Sequence, residues 1–125
     1  HYETGEPIPD SLIAKIKKAS TFNEGFKTTE YMASAIMDLL YHTTDPAAIE
    51  PDSFEREQLK ALGMPEEIVM RHRTPHFGHV FSGEGYSAGY YGYMWAEVLT
   101  ADAAEAVEEE PGGFYEEEVS AKRVK

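Results

Sequence analysis

The residues best suited to chemistry lie between His76 and Val107, in HFGHVFSGEGYSAGYYGYMWAEVLTADAAEAV. Three tyrosines, Tyr86, Tyr90 and Tyr93, follow His79 across a glycine-bearing loop, Ser82-Gly83-Glu84-Gly85. Phenols and an imidazole are hydrogen-bond donors of the kind that stabilise a carbonyl oxygen as it gains negative charge. Glycine tolerates positive φ and has no side chain to obstruct, so Gly83 and Gly85 would let backbone N–H groups approach a ligand closely. The same residues have a plainer reading, because aromatic side chains at helical spacing also fill cores.

Positioning such a row requires a helix. After the loop the chain runs for about twenty residues without turn-forming Gly-Pro punctuation, which predicts a loop feeding a helix. At about 100° per residue, Tyr86, Tyr90, Tyr93 and Glu97 fall on one side of it, and Ala88, Tyr91, Trp95, Val98 and Leu99 on the other. The Trp95 side is expected to be a core face. The tyrosine side is either core or a polar, aromatic wall facing a ligand. His72 and His76 have the i, i+4 spacing of a zinc pair, but Pro75 lies between them and removes the helical geometry such a pair needs. Packing or solvent roles are expected for both.

Upstream, Gly5, Pro7 and Pro9 predict an extended lead-in. A first helix starts at Asp10, with Leu12, Ile13, Ile16 and Ala19 on one stripe and Lys15, Lys17 and Lys18 outside it, near the end that favours cations. Asn23 is the expected N-cap of a second helix over 24–42, the core helix, whose broad apolar band is Tyr31, Met32, Ala35, Ile36, Leu39 and Leu40. A third helix begins at Asp52, carries Phe54, Leu59 and Leu62, and ends at Gly63. PEEIVMRHR, opened by Pro65, reads as a short fourth helix. His79 to Ser82 is at most a short extended piece, and another helix begins after Pro111-Gly112-Gly113 and covers 114–125. The expected fold is all-α, with five or six helices.

Length and charge bound the function. The 125 residues make one domain of ordinary size. Lys and Arg number 11 against 23 Asp and Glu, and 11 − 23 gives a net charge of −12, which disfavours nucleic acid and anionic membrane surfaces as partners. With no cysteine there is no disulfide and no structural thiolate zinc site. Neither a membrane span nor a signal peptide is legible, so the expected setting is cytoplasmic.

The run HVFSGEGYSAGYYGYMWAEVLTADA closely resembles the C-terminal part of the catalytic domain in the thimet oligopeptidase, neurolysin and peptidyl-dipeptidase family of zinc peptidases, the bacterial peptidyl-dipeptidases most of all. HYETGEPIP, FNEGFKTTEYMASAIMDLLYH and LGMPEEIVMRHRTPHFGHVF resemble the same family in the same order, so the resemblance covers essentially the whole chain. Its most specific element is GY-x-x-x-YYxYxW. The interval from His79 to Tyr86 is longer than in the thimet oligopeptidases. The resemblance implies that His79 and Tyr93 are catalytic, donating hydrogen bonds to a tetrahedral oxyanion. It further implies that Tyr86 and Tyr90 contact the substrate backbone and that Gly83 and Gly85 form the loop admitting the peptide.

Family members bind zinc through HExxH and a further glutamate on the next helix, and none of this occurs here. The resemblance therefore implies that residues 1–125 are the C-terminal portion of a peptidase catalytic domain, a fragment forming part of one wall of a deep channel. Zinc would belong to the full-length enzyme, with no metal ligand in this chain, and the fragment alone is expected to be inactive. Implied partners are a peptide substrate, the remainder of the catalytic domain and, through exposed apolar surface, a second copy of the fragment. The rival reading, supported by the missing metal motif, is a non-catalytic α-helical binding or assembly module.

Overall fold

The computed structural model describes residues 1–115. Five α-helices occur among them, and no strand: α1 (Asp10–Ser20), α2 (Glu24–Thr43), α3 (Pro51–Ala61), α4 (Gly78–Phe81) and α5 (Gly92–Glu108). Short 3-10 turns occupy Pro46–Ala48, Thr74–His76 and Gly113–Tyr115. The fold is all-α as expected. The helix anticipated over 114–125 lies outside the described residues, apart from that last 3-10 turn.

Local chemistry explains the boundaries. Asp10 sits in the first turn of α1 and Lys17 and Lys18 in its last, each on the favourable end of the helix dipole. No α1 residue is buried, and Ile16 is 60% exposed, so its apolar stripe has no cover among the described residues. Asn23 does not cap α2. It adopts a left-handed conformation (φ 56°) and makes no side-chain cap, serving instead as the corner between α1 and α2, a conformation that asparagine tolerates better than most residues. The cap of α3 is the Glu50 side chain, which accepts from the N–H of Ser53 at 2.9 Å, with Pro51 in the first turn. At the other end Gly63 takes φ 76°, and the N–H groups of Gly63 and Met64 return to the carbonyls of Lys60 and Leu59.

The segment 65–73 is not helical; one turn closes from the N–H of Ile68 to the carbonyl of Pro65. Burial there alternates. Met70 is buried and Ile68 and His72 are half-buried, while Val69 and Arg71 face solvent. This two-residue period belongs to extended chain, and it lets a short segment reach from the end of α3 back to Glu55, where Arg73 is held. The piece expected to be extended, 79–82, instead lies largely in the single helical turn α4, whose Val80 is fully buried beside Phe77.

The core helix α2 is rotated from the expected band. Its buried residues are Ala33, Ser34, Ala35, Met37, Asp38 and Tyr41, whereas Leu39 is exposed. Apolar periodicity went astray because two polar residues, Ser34 and Asp38, occupy the buried face and are satisfied there. Around this face gather Leu59 of α3, Met70, Phe77, Val80 and Tyr90.

Candidate functional site

The tyrosine row forms without the long helix expected to carry it. Helix α5 begins only at Gly92; before it, 86–91 is a tight turn in which Gly89 donates to the carbonyl of Tyr86 and Gly92 to that of Gly89, each at 2.9 Å. Ala88 has φ 54°, a left-handed conformation unusual for alanine, and helix cannot pass through it. Two backbone N–H groups in this turn go to one carboxylate. Asp38, fully buried, accepts from Ala88 through Oδ1 at 3.0 Å and from Tyr90 through Oδ2 at 2.9 Å. Tyr31, one heptad earlier on α2, donates its hydroxyl to the carbonyl of Tyr90 at 2.8 Å and accepts from the N–H of Met94 at 3.1 Å.

The turn brings together four of the residues expected to do chemistry. The Tyr86 and Tyr93 rings stack at 5.8 Å with an interplanar angle of 8°, and the His79 ring lies 4.4 Å from that of Tyr86. His79 Nε2 is 2.7 Å from the Tyr93 hydroxyl, a side-chain hydrogen bond. Tyr93 is 38% exposed and Tyr86 46%, so both present phenol to the surface. Tyr90 differs. It is buried, edge-on to Phe77 at 5.2 Å and to Tyr93 at 5.3 Å, and its ring backs the cluster from the core side.

Electrostatics keep the exposed phenol protonated. Tyr93 is raised above the ordinary phenol value, first by its hydrogen bond with Tyr86, then by burial and by the neighbouring phenols. Tyr31 is raised chiefly by burial, which outweighs the N–H of Met94. At neutral pH both are therefore hydrogen-bond donors rather than phenolates. His72, stacked on Phe77 at 5.0 Å with Nδ1 buried and unpaired, is lowered by burial and then by the charge of Arg71, which suits a packing residue.

Gly83 and Gly85 do not use the freedom attributed to glycine. Neither takes a left-handed φ, and a Cβ at either would meet open space. The loop is anchored beside them by Ser87, whose hydroxyl lies 3.0 Å from the carbonyl of Val80 and 3.1 Å from that of Gly83.

The Trp95 face corrects another expectation. Trp95 is 59% exposed and Leu99 67%, with Val98 also exposed, so among the described residues this is an uncovered apolar face rather than core. The core contact assigned to it is made instead by Tyr90, because the break at Ala88 detaches Tyr90 from the helical register of α5.

A second polar network anchors the Thr74–His76 turn, which leads into α4. Glu55, 2% exposed, accepts from Arg73 Nε at 2.9 Å, from the N–H of Thr74 at 3.0 Å and from the Thr74 hydroxyl at 2.9 Å. The Tyr41 hydroxyl meets that of Thr74 in turn. Burial pushes the Glu55 carboxyl up, but the hydrogen bonds from Thr74 and Arg73 outweigh it and leave it below the ordinary carboxylate range. Tyr31, Asp38, Ser87 and Glu55 all escaped sequence reasoning as site-building residues. The legible signal was a lone aspartate inside an apolar helix, in Ile36-Met37-Asp38-Leu39.

Among the described residues, no three His, Asp or Glu side chains converge to hold a metal ion, and no helix is long and apolar enough to cross a membrane. The arrangement can present a neutral phenol, backed by an imidazole, to an electron-rich oxygen.

The chain is 36% identical over 115 residues to a dipeptidyl carboxypeptidase of Escherichia coli, covering 90% of this chain and 17% of that protein. It is 39% identical over 112 residues to an oligopeptidase A of Haemophilus influenzae, covering 88% of this chain and 16% of the relative. An organellar oligopeptidase A of Arabidopsis thaliana is 40% identical over 113 residues, covering 87% and 14%. The chain thus spans only about a sixth of the length of the curated relatives it matches. No solved structure matches it. The model of peptidase family M3 matches residues 1–122, and this chain belongs to that family.

Proposed function

We propose that this chain is part of the catalytic domain of a zinc metallopeptidase acting as a peptidyl-dipeptidase or oligopeptidase, and that it supplies oxyanion-stabilising and substrate-contacting groups on one wall of the peptide channel. Family membership and the names of the relatives support peptide hydrolysis. The described residues offer no ligand set for zinc, so a catalytic metal would have to be held by others.

The observation that carries the reading is the hydrogen bond between His79 Nε2 and Tyr93 Oη, set on an exposed aromatic surface. It constrains the roles of the pair. If Nε2–H donates to Oη, the phenol proton is left for another acceptor, and the raised pKa keeps it on the phenol at neutral pH. Tyr93 is then the donor to the scissile carbonyl oxygen as it becomes an oxyanion, and His79 orients and polarises that donor rather than contacting the oxyanion through Nε2. Tyr86, stacked on Tyr93 and 46% exposed, would contact the substrate backbone. Tyr90 would contribute mainly through its backbone and the back of its ring.

The test is Tyr93→Phe in the complete protein that carries these residues, assayed on oligopeptides. Losing one preorganised oxyanion donor lowers kcat by about 100- to 1000-fold with the ring packing kept. An unchanged kcat would remove Tyr93 from the chemistry, and a wild-type protein that cleaves no peptide would remove the reading altogether.

A further inference from the structure

We infer that Asp38, with Tyr31 two helical turns before it, is the positioning residue that sets the Tyr93–His79 pair. The inference rests on the reading of that pair as the donor to substrate, and it concerns residues outside the pair itself. It begins from a buried charge. Asp38 is 0% exposed, and its carboxylate accepts two backbone hydrogen bonds, from Ala88 N–H on Oδ1 at 3.0 Å and from Tyr90 N–H on Oδ2 at 2.9 Å, with His42 Nδ1 lying 2.9 Å from Oδ1. The same His42 nitrogen is 2.8 Å from the Asp38 carbonyl, so the imidazole is docked against its own helix and supports the carboxylate from behind.

The turn needs an external acceptor pair. Ala88 is left-handed, the helix begins four residues later, and the N–H groups of Ala88 and Tyr90 are taken up by Asp38. Only a carboxylate places an acceptor against each of two N–H groups; an asparagine in the same place would turn an NH2 toward one of them. Tyr31 completes the hold. It binds the carbonyl of Tyr90 and the N–H of Met94, so the Tyr90 residue is gripped on its N–H by Asp38 and on its carbonyl by Tyr31. The two side chains sit seven residues apart on α2, about 10.5 Å along its axis at 1.5 Å per residue, and between them they fix the backbone from Ala88 to Met94. Tyr93 lies inside that span, and Tyr86 is tied to it through Gly89. The Oη of Tyr93 therefore reaches His79 in a frame set by α2. Displacing a catalytic group by about 1 Å can cost roughly 100-fold in rate.

The experiment uses the complete peptidase and four variants: Asp38→Asn, Asp38→Asn with Ala88→Gly, Tyr31→Phe and Leu59→Ala. Leu59, on α3, is buried in the same core but supplies none of the hydrogen bonds that hold the turn, and so reports the effect of lost stability. Asp38→Asn is expected to lower kcat at least tenfold with KM changed by less than a factor of three, at temperatures where circular dichroism shows a folded protein. Glycine at 88 removes the left-handed penalty that the carboxylate offsets, so the double variant should recover part of kcat. Tyr31→Phe should lower kcat in the same direction, and Leu59→Ala should leave it near wild type. If Asp38→Asn does not fold, the double variant and Tyr31→Phe carry the test.

Equal kcat losses in Asp38→Asn and Leu59→Ala, or no recovery on adding Ala88→Gly, overturn the inference. A second readout separates it from the functional reading. In protein labelled with 15N-histidine and assigned through His79→Gln, the His79 Nε2 resonance should shift in Asp38→Asn and in Tyr31→Phe. An unmoved resonance overturns the positioning role even if the protein is a peptidase. A shifted resonance in a protein that cleaves no peptide leaves the positioning role standing and sinks the peptidase reading alone.

Discussion

His79 and Tyr93 stand fourteen residues apart in sequence and meet through a 2.7 Å hydrogen bond across the mouth of the Tyr86–Tyr91 turn. Groups that act as one unit give non-additive mutant effects. Tyr93→Phe and His79→Gln, measured singly and together in the complete protein, should therefore not add: the double variant should be about as impaired in kcat as the worse single one. Additive losses would mean that each residue acts on substrate by itself.

Glu55 carries the second prediction. Its buried carboxylate accepts from both the backbone and the hydroxyl of Thr74 and from Arg73. Glu55→Gln replaces one acceptor by a donor facing these groups, and should destabilise by about 1–3 kcal/mol, the range for a buried group left unsatisfied. Because the folded carboxyl lies below its ordinary value of 4.5, its contribution is present above that pH and lost as pH falls through the folded value. The wild type should lose stability on acidification more steeply than Glu55→Gln, and parallel acid limbs in denaturant titrations would contradict the assignment.

The helices were legible where local signals agreed. Asp10 with Lys17 and Lys18, Asp52, and the glycine turn at Gly63 marked their ends within a residue or two. What sequence could not give was the break at Ala88, because alanine is a strong helix former and its left-handed conformation is imposed from outside by Asp38. A period-3.6 reading therefore ran the helix straight through 86–91. It nevertheless grouped Tyr86 and Tyr93 correctly, since the turn restores by tertiary contact what the helix would have given by register. Asp38 was passed over for a related reason: pattern reading counts apolar residues as inward and discards a charged one, although a carboxylate held by the N–H groups of Ala88 and Tyr90 is satisfied when buried.

Trp95 tests the uncovered face. At 59% exposure its removal opens little cavity, so Trp95→Ala should change the stability of the isolated chain by no more than about 0.5 kcal/mol, the usual range for surface sites. The same substitution should matter for association. If the row of Trp95, Val98 and Leu99 docks on another surface, whether a second copy or further peptidase chain, light scattering of the isolated chain across a dilution series should show self-association that Trp95→Ala weakens. A stability loss of several kcal/mol in a monomeric chain would show that this face is covered from within.

The last prediction concerns alkaline pH. Tyr31 and Tyr41 are raised above 10.0 chiefly by burial, and Tyr93 chiefly by its hydrogen bond with Tyr86. A phenol whose folded value exceeds its unfolded value binds its proton more tightly in the folded protein. Its contribution to stability is therefore full below pH 10.0 and is lost as pH rises through the folded value. Difference absorbance of phenolate should resolve a late-titrating group of tyrosines in the folded chain that merges with the rest on unfolding in denaturant. Tyr31→Phe should remove one phenol from that late group, and should also loosen Met94 and the carbonyl of Tyr90, whose hydrogen bonds it supplies. Were all tyrosines of the folded chain to titrate together at the ordinary phenol value, Tyr31 would be open to water and could not be holding the turn.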